Sequence, residues 1–422
     1  MASSTHNQAD QQQHQHVLAT LYPNRVLELQ LNRPKALNAL STQMLVDLTK
    51  HVQQALENEK DVEGNDLIAA VLLTAVEGSR AFSAGGDIKE LLGRLLSEKS
   101  GAITKGSNPL EYITIEYQLD SLLHKLSTLK PVLAICDGIV MGGGAGIFQA
   151  ASLRVVTPAS TFGMPECRIA ILPDAGAMSF LFRAPGEVPL YCALTGARLG
   201  GECMKAVALA THVVEGKDLP ELLNIVRTQA FSKKREWEQV LDGFEEGRGR
   251  SGVTPIEAIR SQIDALFKYN TVREIYTALL QEKQRQKESN AASSSVAEAG
   301  GNGGQIQEKD SGKWIDTALA AFDSECPVSH VVSLHAIRTA QRRGLHAWDI
   351  DQGLGIEHVA NRCLGFRPDF IEGVSTVVGA KKGETPVWTH ASWEAAAEDP
   401  EIVQLLDRMT NAKSVWEEII ME

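Results

Sequence analysis

Apolar positions along this chain come in two spacings that alternate by segment. Val17–Tyr22 and Val26–Leu31 are strand-like runs flanking Pro23-Asn24, which predicts a hairpin. Leu67–Leu73, Val132–Cys136 and Leu153–Val156 are largely apolar runs of the length of one buried strand. Between them, Thr42–Glu57, with Ser41 as its N-cap, reads as a helix, and so does Pro109–Thr128. In the second of these, Ile115, Leu119, Leu122, Leu123 and Leu126 fall at helical spacing. This alternation predicts an α/β architecture of repeated ββα units stacked into a spiral. From about Ser251 the pattern is helical: Pro255–Tyr269, Val272–Glu288, Trp314–Phe322, Val328–Arg343 and Asp349–Leu364.

The 422 residues exceed what one compact core usually holds, so the expected division is a core over 17–250 and a helical C-terminal cap over 251–422. Residues 1–16 are polar and rich in Gln and His, the composition of a disordered tail. His14 and His16 offer at most weak metal binding. Residues 290–312, rich in Ala, Ser and Gly, read as a flexible insert. The tail contains no Lys or Arg, unlike an Arg-rich mitochondrial presequence, and Ile-Ile-Met-Glu is not a peroxisomal signal. The cytoplasm is the expected compartment.

A formal charge of −12 argues against a nucleic-acid-binding surface, which needs clustered Lys and Arg. The six cysteines show neither C-x-x-C nor metal-ligand spacing, and most lie in apolar runs, as buried thiols do in a reducing compartment. No metal site is expected. No run of about 18 apolar residues occurs, so no membrane span is expected. Trp388, Trp393 and Trp416 are read as packing anchors.

The candidate chemistry concentrates in Lys130–Gly186. Gly142, Gly143, Gly144 and Gly146 follow the Val132–Cys136 run. Where such a cluster opens a helix, its free N–H groups can hold a phosphate or an oxyanion; close helix–strand packing is the competing use. Neither nucleotide-binding glycine fingerprint is met. Downstream, Glu166 and Asp174 each follow a proline among apolar residues. Pro173 argues against one continuous helix through both, so they belong on loops or helix starts. Apolar surroundings raise a carboxyl pKa toward acid–base or nucleophilic use. Capping, or pairing of Glu166 with Arg168, would serve structure alone.

The order LNRPKALNAL, FSAGGDI, GIVMGGGAG and MPE…LPDAGA over Leu31–Gly186 resembles the crotonase superfamily of acyl-CoA enzymes. In its details it is similar to the 3-hydroxyisobutyryl-CoA hydrolase family. Leu194–Val214 and the RPDFIEGV element at Arg367–Val374 extend the resemblance over most of the chain. The resemblance implies the crotonase spiral, with Gly86 and Gly143 supplying backbone N–H donors to a thioester oxyanion. It implies Glu166 as nucleophile or general base and Asp174 as the second acid, managing a proton or orienting substrate and water. Glu116 would line the acyl site, and Arg33 and Lys35 would contact CoA phosphates. Asp87 is placed with them, capping the helix from Ile88 or holding the FSAGGDI loop.

Enoyl-CoA hydratases carry a second glutamate where this chain has Gly146, and glycine where it has Asp174, so the pair points to hydrolysis. Cys167-Arg168-Ile169-Ala170 departs from the Thr-Ala-hydrophobic-Gly common in the family. The expectation is therefore a thioester hydrolase of valine catabolism with no cofactor beyond the CoA of its substrate, as a possible homo-oligomer. Relatives of the family are often mitochondrial. An enoyl-CoA hydratase or isomerase, and a non-catalytic mitochondrial ribosome subunit, are the alternatives.

Overall fold

The computed structural model describes residues 15–57, 60, 62, 64–99, 109–231, 233–246, 252–297 and 313–420. Residues 1–14 of the expected tail, the expected insert from 298 on, and 100–108 of the polar segment before Pro109 lie outside the described residues.

The expected hairpin forms. Strands β1 (Val17–Leu21) and β2 (Val26–Leu31) pair antiparallel, Val17 opposite Leu31. Arg25 takes a positive φ of 66° in the tight turn between them. Then the chain winds. Strands β3 (Ala70–Ala75), β5 (Val132–Cys136) and β7 (Leu153–Val156) enter one sheet, and each is followed at once by a short strand of a second sheet. Those partners are β4 (Ala81–Ser83), β6 (Ile139–Met141) and β8 (Thr161–Gly163). Strand β9 (Leu199–Gly200) closes the smaller sheet and β10 (His212–Val213) the larger. The orders are β1-β2-β3-β5-β7-β10 and β4-β6-β8-β9. Pairing from β2 to β10 and from β4 to β8 is parallel, which follows from repeating one strand–strand–helix turn. The chain has a crotonase-type spiral of this α/β class.

Two helices absent from the expected set, Leu219–Thr228 and Lys234–Glu246, cover one face of the larger sheet. They bring Leu222, Val226, Trp237 and Leu241 against Val26, Leu72, Ile135 and Val155. The helix expected over Val272–Glu288 runs on to Ala297. Its extension contains Ala291 and Ala292, and neither Gly nor Pro stops it before Gly300.

The main hydrophobic cluster runs without a break from Val17 and Leu29 through Phe148 and Leu190 to Ile337, Ile402 and Met409, so the C-terminal helices share the core of the spiral. Two of them approach the loops at its centre. The helix Ile350–Leu364 packs on the short helix Ala177–Phe180. The helix Pro368–Val377, which carries the RPDFIEGV element, packs on the turn Glu166–Ile169. Gly373 makes that approach possible, since a Cβ there would stand 2.8 Å from the Cα of Ile169.

Candidate active site

Two glycine turns meet where the strand pairs end. The first leaves β4 and leads into the helix Ile88–Lys99. It is held by the segment Arg33–Leu40: Ala84 N–H donates to Leu37 O, Leu40 N–H to Gly85 O and Asp87 N–H to Leu40 O. Gly85 N–H bonds the Ser83 hydroxyl and Ile88 N–H bonds Gly86 O. Among the described residues, the N–H of Gly86 has no backbone acceptor in this run. A side chain at Gly86 has no room, because its Cβ would lie 2.8 Å from the Tyr112 hydroxyl, which itself donates to Leu40 O. The second turn leaves β6 with Gly142 at φ 51° and opens the buried helix Gly143–Ala150. Gly143 is the first residue of that helix, so its N–H has no acceptor within it. The turns are adjacent: the Cβ direction of Gly85 points to Gly143 N at 3.6 Å.

Carboxylates surround this junction. Glu166 begins the 3₁₀ turn Glu166–Ile169, and its Oε1 lies 3.1 Å from where a Cβ on Gly142 would stand. Glu116, on the helix Pro109–Leu129, presses its own Oε1 into the space a side chain on Gly143 would take. Asp174 precedes the helix Ala177–Phe180 and accepts from Tyr117 Oη at 3.1 Å and Asn361 Nδ2 at 2.6 Å. Glu357 caps that helix, taking Gly176 N–H at 2.9 Å and Met178 N–H at 2.7 Å. Asp120, one helical turn after Glu116, has no hydrogen-bond partner on either oxygen among the described residues. All five groups are buried.

The charges acting on these groups are mainly one another's. Burial, then the Asp174 charge, pushes Glu166 well above the usual carboxylate range. Burial also raises Glu116, reinforced by Asp174 and Glu357. Asp174 is pushed up to about 7 by burial, held down in part by the donors Tyr117 and Asn361. Burial and Asp174 push Glu357 to about 8 against its two backbone donors. Asp120 is raised by burial and then by Glu116, Glu357 and Asp174. Carboxyls raised in this way are suited to acid–base chemistry.

The structure thus brings together Gly86, Gly143, Glu116, Glu166 and Asp174. Asp87 sits at the rim of the first turn, capping Glu90 N–H at 3.1 Å and pairing with Arg33 at 3.0 Å. Arg33 also donates to Ala39 O, while Lys35 is exposed on the turn Pro34–Ala36. In the departing segment, Arg168 is exposed, and Ala170 holds a left-handed φ of 62° that glycine adopts without strain. Tyr117, Asp120, Glu357 and Asn361 were not singled out by the sequence.

Gly146 is filled from outside. A Cβ there would meet Ala175 O at 2.5 Å and Ala175 Cβ at 2.6 Å, with Asp120 Oδ1 at 3.2 Å. No second glutamate fits at that position without moving the backbone next to Asp174.

A spiral of strand pairs whose glycine turns meet buried acids defines the class as the crotonase fold. A sequence profile described as enoyl-CoA hydratase/isomerase matches residues 26–404, and the chain belongs to that family. It is 32% identical to 3-hydroxyisobutyryl-CoA hydrolase 1 of Arabidopsis thaliana, over 85% of this chain and 83% of the relative. It is 31% identical to the small ribosomal subunit protein mS47 of Neurospora crassa, over 90% of this chain and 68% of that protein. Among solved structures it resembles an enoyl-CoA hydratase from Rhodobacter sphaeroides at 25% identity and a TM-score of 0.69, covering 93% of this chain and 97% of that one.

Proposed function

We propose that this protein hydrolyses an acyl-CoA thioester, 3-hydroxyisobutyryl-CoA first among them, to the free acid and CoA. The observation that carries the reading is the convergence of Glu166 and Asp174 on the paired glycine turns, together with the lack of room at Gly146. The relatives named as 3-hydroxyisobutyryl-CoA hydrolases support the choice of substrate.

In this reading the thioester oxygen takes the N–H groups of Gly86 and Gly143, which stabilise the developing negative charge by roughly 3 kcal/mol per donor. Glu166 attacks the carbonyl carbon, or deprotonates the water that does. The C–S bond breaks, the sulfur takes a proton from the acid cluster, and Asp174 is the member that carries it. Water supplies the oxygen of the product acid and returns the proton. Glu116, pressed against Gly143, takes the 3-hydroxyl of the acyl group. Arg33, held by Asp87, and Lys35 supply positive charge for the CoA phosphates. CoA enters as part of the substrate, and the reaction needs no cofactor.

The similarity to mS47 favours one further reading, a subunit of the mitochondrial ribosome with no turnover. The two separate in one experiment. CoA release from 3-hydroxyisobutyryl-CoA is followed with a thiol reagent for wild type, Glu166→Gln and Asp174→Asn, with crotonyl-CoA hydration and ribosome cosedimentation alongside. Turnover that falls by roughly 10²-fold or more in both variants supports the hydrolase. Hydration of crotonyl-CoA without thiol release turns the assignment to a hydratase. Silence on every thioester with cosedimentation turns it to the ribosome.

A further inference from the structure

Directly behind Glu166 lies a second group of donor side chains, which the proposed reaction does not use. Cys167 Sγ, a Glu325 carboxylate oxygen and a His330 ring nitrogen lie within 4.8 Å of one another. Cys167 and His330 are buried, and Glu325 is nearly so. Among the described residues, Glu325 Oε2 and His330 Nε2 have no hydrogen-bond partner, although both point into this space. They are 3.5 Å apart. That is long for an N–H···O bond. It matches two ligands of one tetrahedral ion, which at about 2.0–2.3 Å from the metal stand roughly 3.3–3.8 Å from each other.

The geometry points to a zinc-type divalent-cation site formed by Cys167, Glu325 and His330. Thiolate, imidazole and carboxylate together are the donor set that Zn²⁺ and Co²⁺ take, whereas Mg²⁺ and Ca²⁺ take oxygen. The Ser333 hydroxyl, 3.5 Å from Cys167 Sγ, or a water, completes the shell. A cavity of about 330 Å³, lined by Glu325, Phe322, Pro327, Trp388, His390 and Trp393, lies on the solvent side of the trio. On binding, Cys167 gives up its long S–H contact to Ala193 O at 3.4 Å, the S–H bond is exchanged for a sulfur–metal bond, and the proton leaves to solvent. His330 binds through Nε2 with its proton on Nδ1. The Trp393 indole N–H, now 3.3 Å from Nδ1, gives up that long contact.

The ion would tie the turn that carries Glu166 to the helix Pro327–Arg342 of the C-terminal region. One backbone bond, Cys326 N–H to Cys167 O at 3.1 Å, already joins them. The second trio, His212, Asp242 and Glu245, is different, because its ligand atoms are hydrogen-bonded, whereas, among the described residues, Glu325 Oε2 and His330 Nε2 are not. His212 bonds Thr211 and Asp242, and Glu245 takes Lys205 and Val213 N–H.

The test is a titration of the full chain with Co²⁺. The expected result is one equivalent bound with thiolate-to-cobalt charge-transfer absorption, displaced by Zn²⁺, which also raises Tm. Cys167→Ser abolishes the absorption, and His330→Gln and Glu325→Gln weaken binding roughly ten-fold or more. Cys203→Ser and His212→Gln leave it unchanged. Glu325 is at the edge of the cavity, so its variant keeps the test readable if a core variant fails to fold. Cobalt bound without a thiolate band, a band that survives Cys167→Ser, or one lost in His212→Gln overturns the site. Neither outcome depends on whether the chain hydrolyses thioesters.

Discussion

Glu116 and Glu166 face each other across one glycine turn: a side chain on Gly143 would overlap the first carboxylate, and one on Gly142 would come within 3.1 Å of the second. Two acids that belong to different helical elements are thereby brought to the N–H that would hold the thioester oxygen. Bare backbone is what lets them approach. Gly143→Ala should therefore push Glu116 off its position and lower kcat by roughly 10²-fold, because a misplaced donor loses most of its transition-state stabilisation. Steady-state CoA release measures it. A variant that folds and turns over within two-fold of wild type would place the oxyanion elsewhere.

Gly86 is constrained by a different neighbour. Its Cβ would lie 2.8 Å from the Tyr112 hydroxyl but 3.5 Å from the ring carbon beneath it. Gly86→Ala should slow turnover by roughly ten-fold or more, and adding Tyr112→Phe should recover part of the loss, because the hydroxyl is the obstacle. Tyr112→Phe alone gives up one bond to Leu40 O and sets the baseline. If the double variant is no faster than Gly86→Ala, steric conflict with Tyr112 is not the cause.

How much of this was legible in the chain follows from sequence distance. The strand pairs, the glycine turns, Glu166 and Asp174 lie within short stretches where apolar runs and Gly or Pro punctuation mark each element. Asp120 stands four residues after Glu116 on one helix face, a spacing visible in the sequence but weak as a signal among solvated helix charges. Glu357 and Asn361 were out of reach. Their helix, Ile350–Leu364, reads as amphipathic, and nothing local says that these polar groups face the loop of Asp174. The cluster of Cys167 with Glu325 and His330 was missed for the same reason: no local ligand spacing announces residues brought together only by packing.

Tyr117 tunes Asp174. Its hydroxyl donates to Oδ2 and so favours the ionised carboxylate, against the burial that pushes the group up to about 7. Tyr117→Phe removes that donor, and the Asp174 pKa rises further. Whichever protonation state of Asp174 the reaction needs, the limb of the kcat/KM profile that it controls should move to higher pH. Asn361 keeps its 2.6 Å bond to the same oxygen and limits the move to roughly one unit. A limb that stays in place, or moves to lower pH, would remove Asp174 from control of the profile.

Asp120 contributes to a loss of stability as pH rises above the ordinary carboxyl range. Burial, then Glu116, Glu357 and Asp174, raise its folded pKa well above the value of about 4 expected in the unfolded chain. A raised carboxyl adds its full stability below the unfolded pKa and loses it as pH climbs toward the folded one. In that window the native group stays protonated while the unfolded one ionises, at about 1.4 kcal/mol per pH unit. Asp120→Asn keeps the shape of the neutral acid and removes the titration. The variant should match wild type near about pH 4 and become progressively more stable than it toward neutrality. Denaturant midpoints across the range measure the difference. A gap that is constant with pH would mean Asp120 is ionised in the native protein, with a partner not found among the described residues.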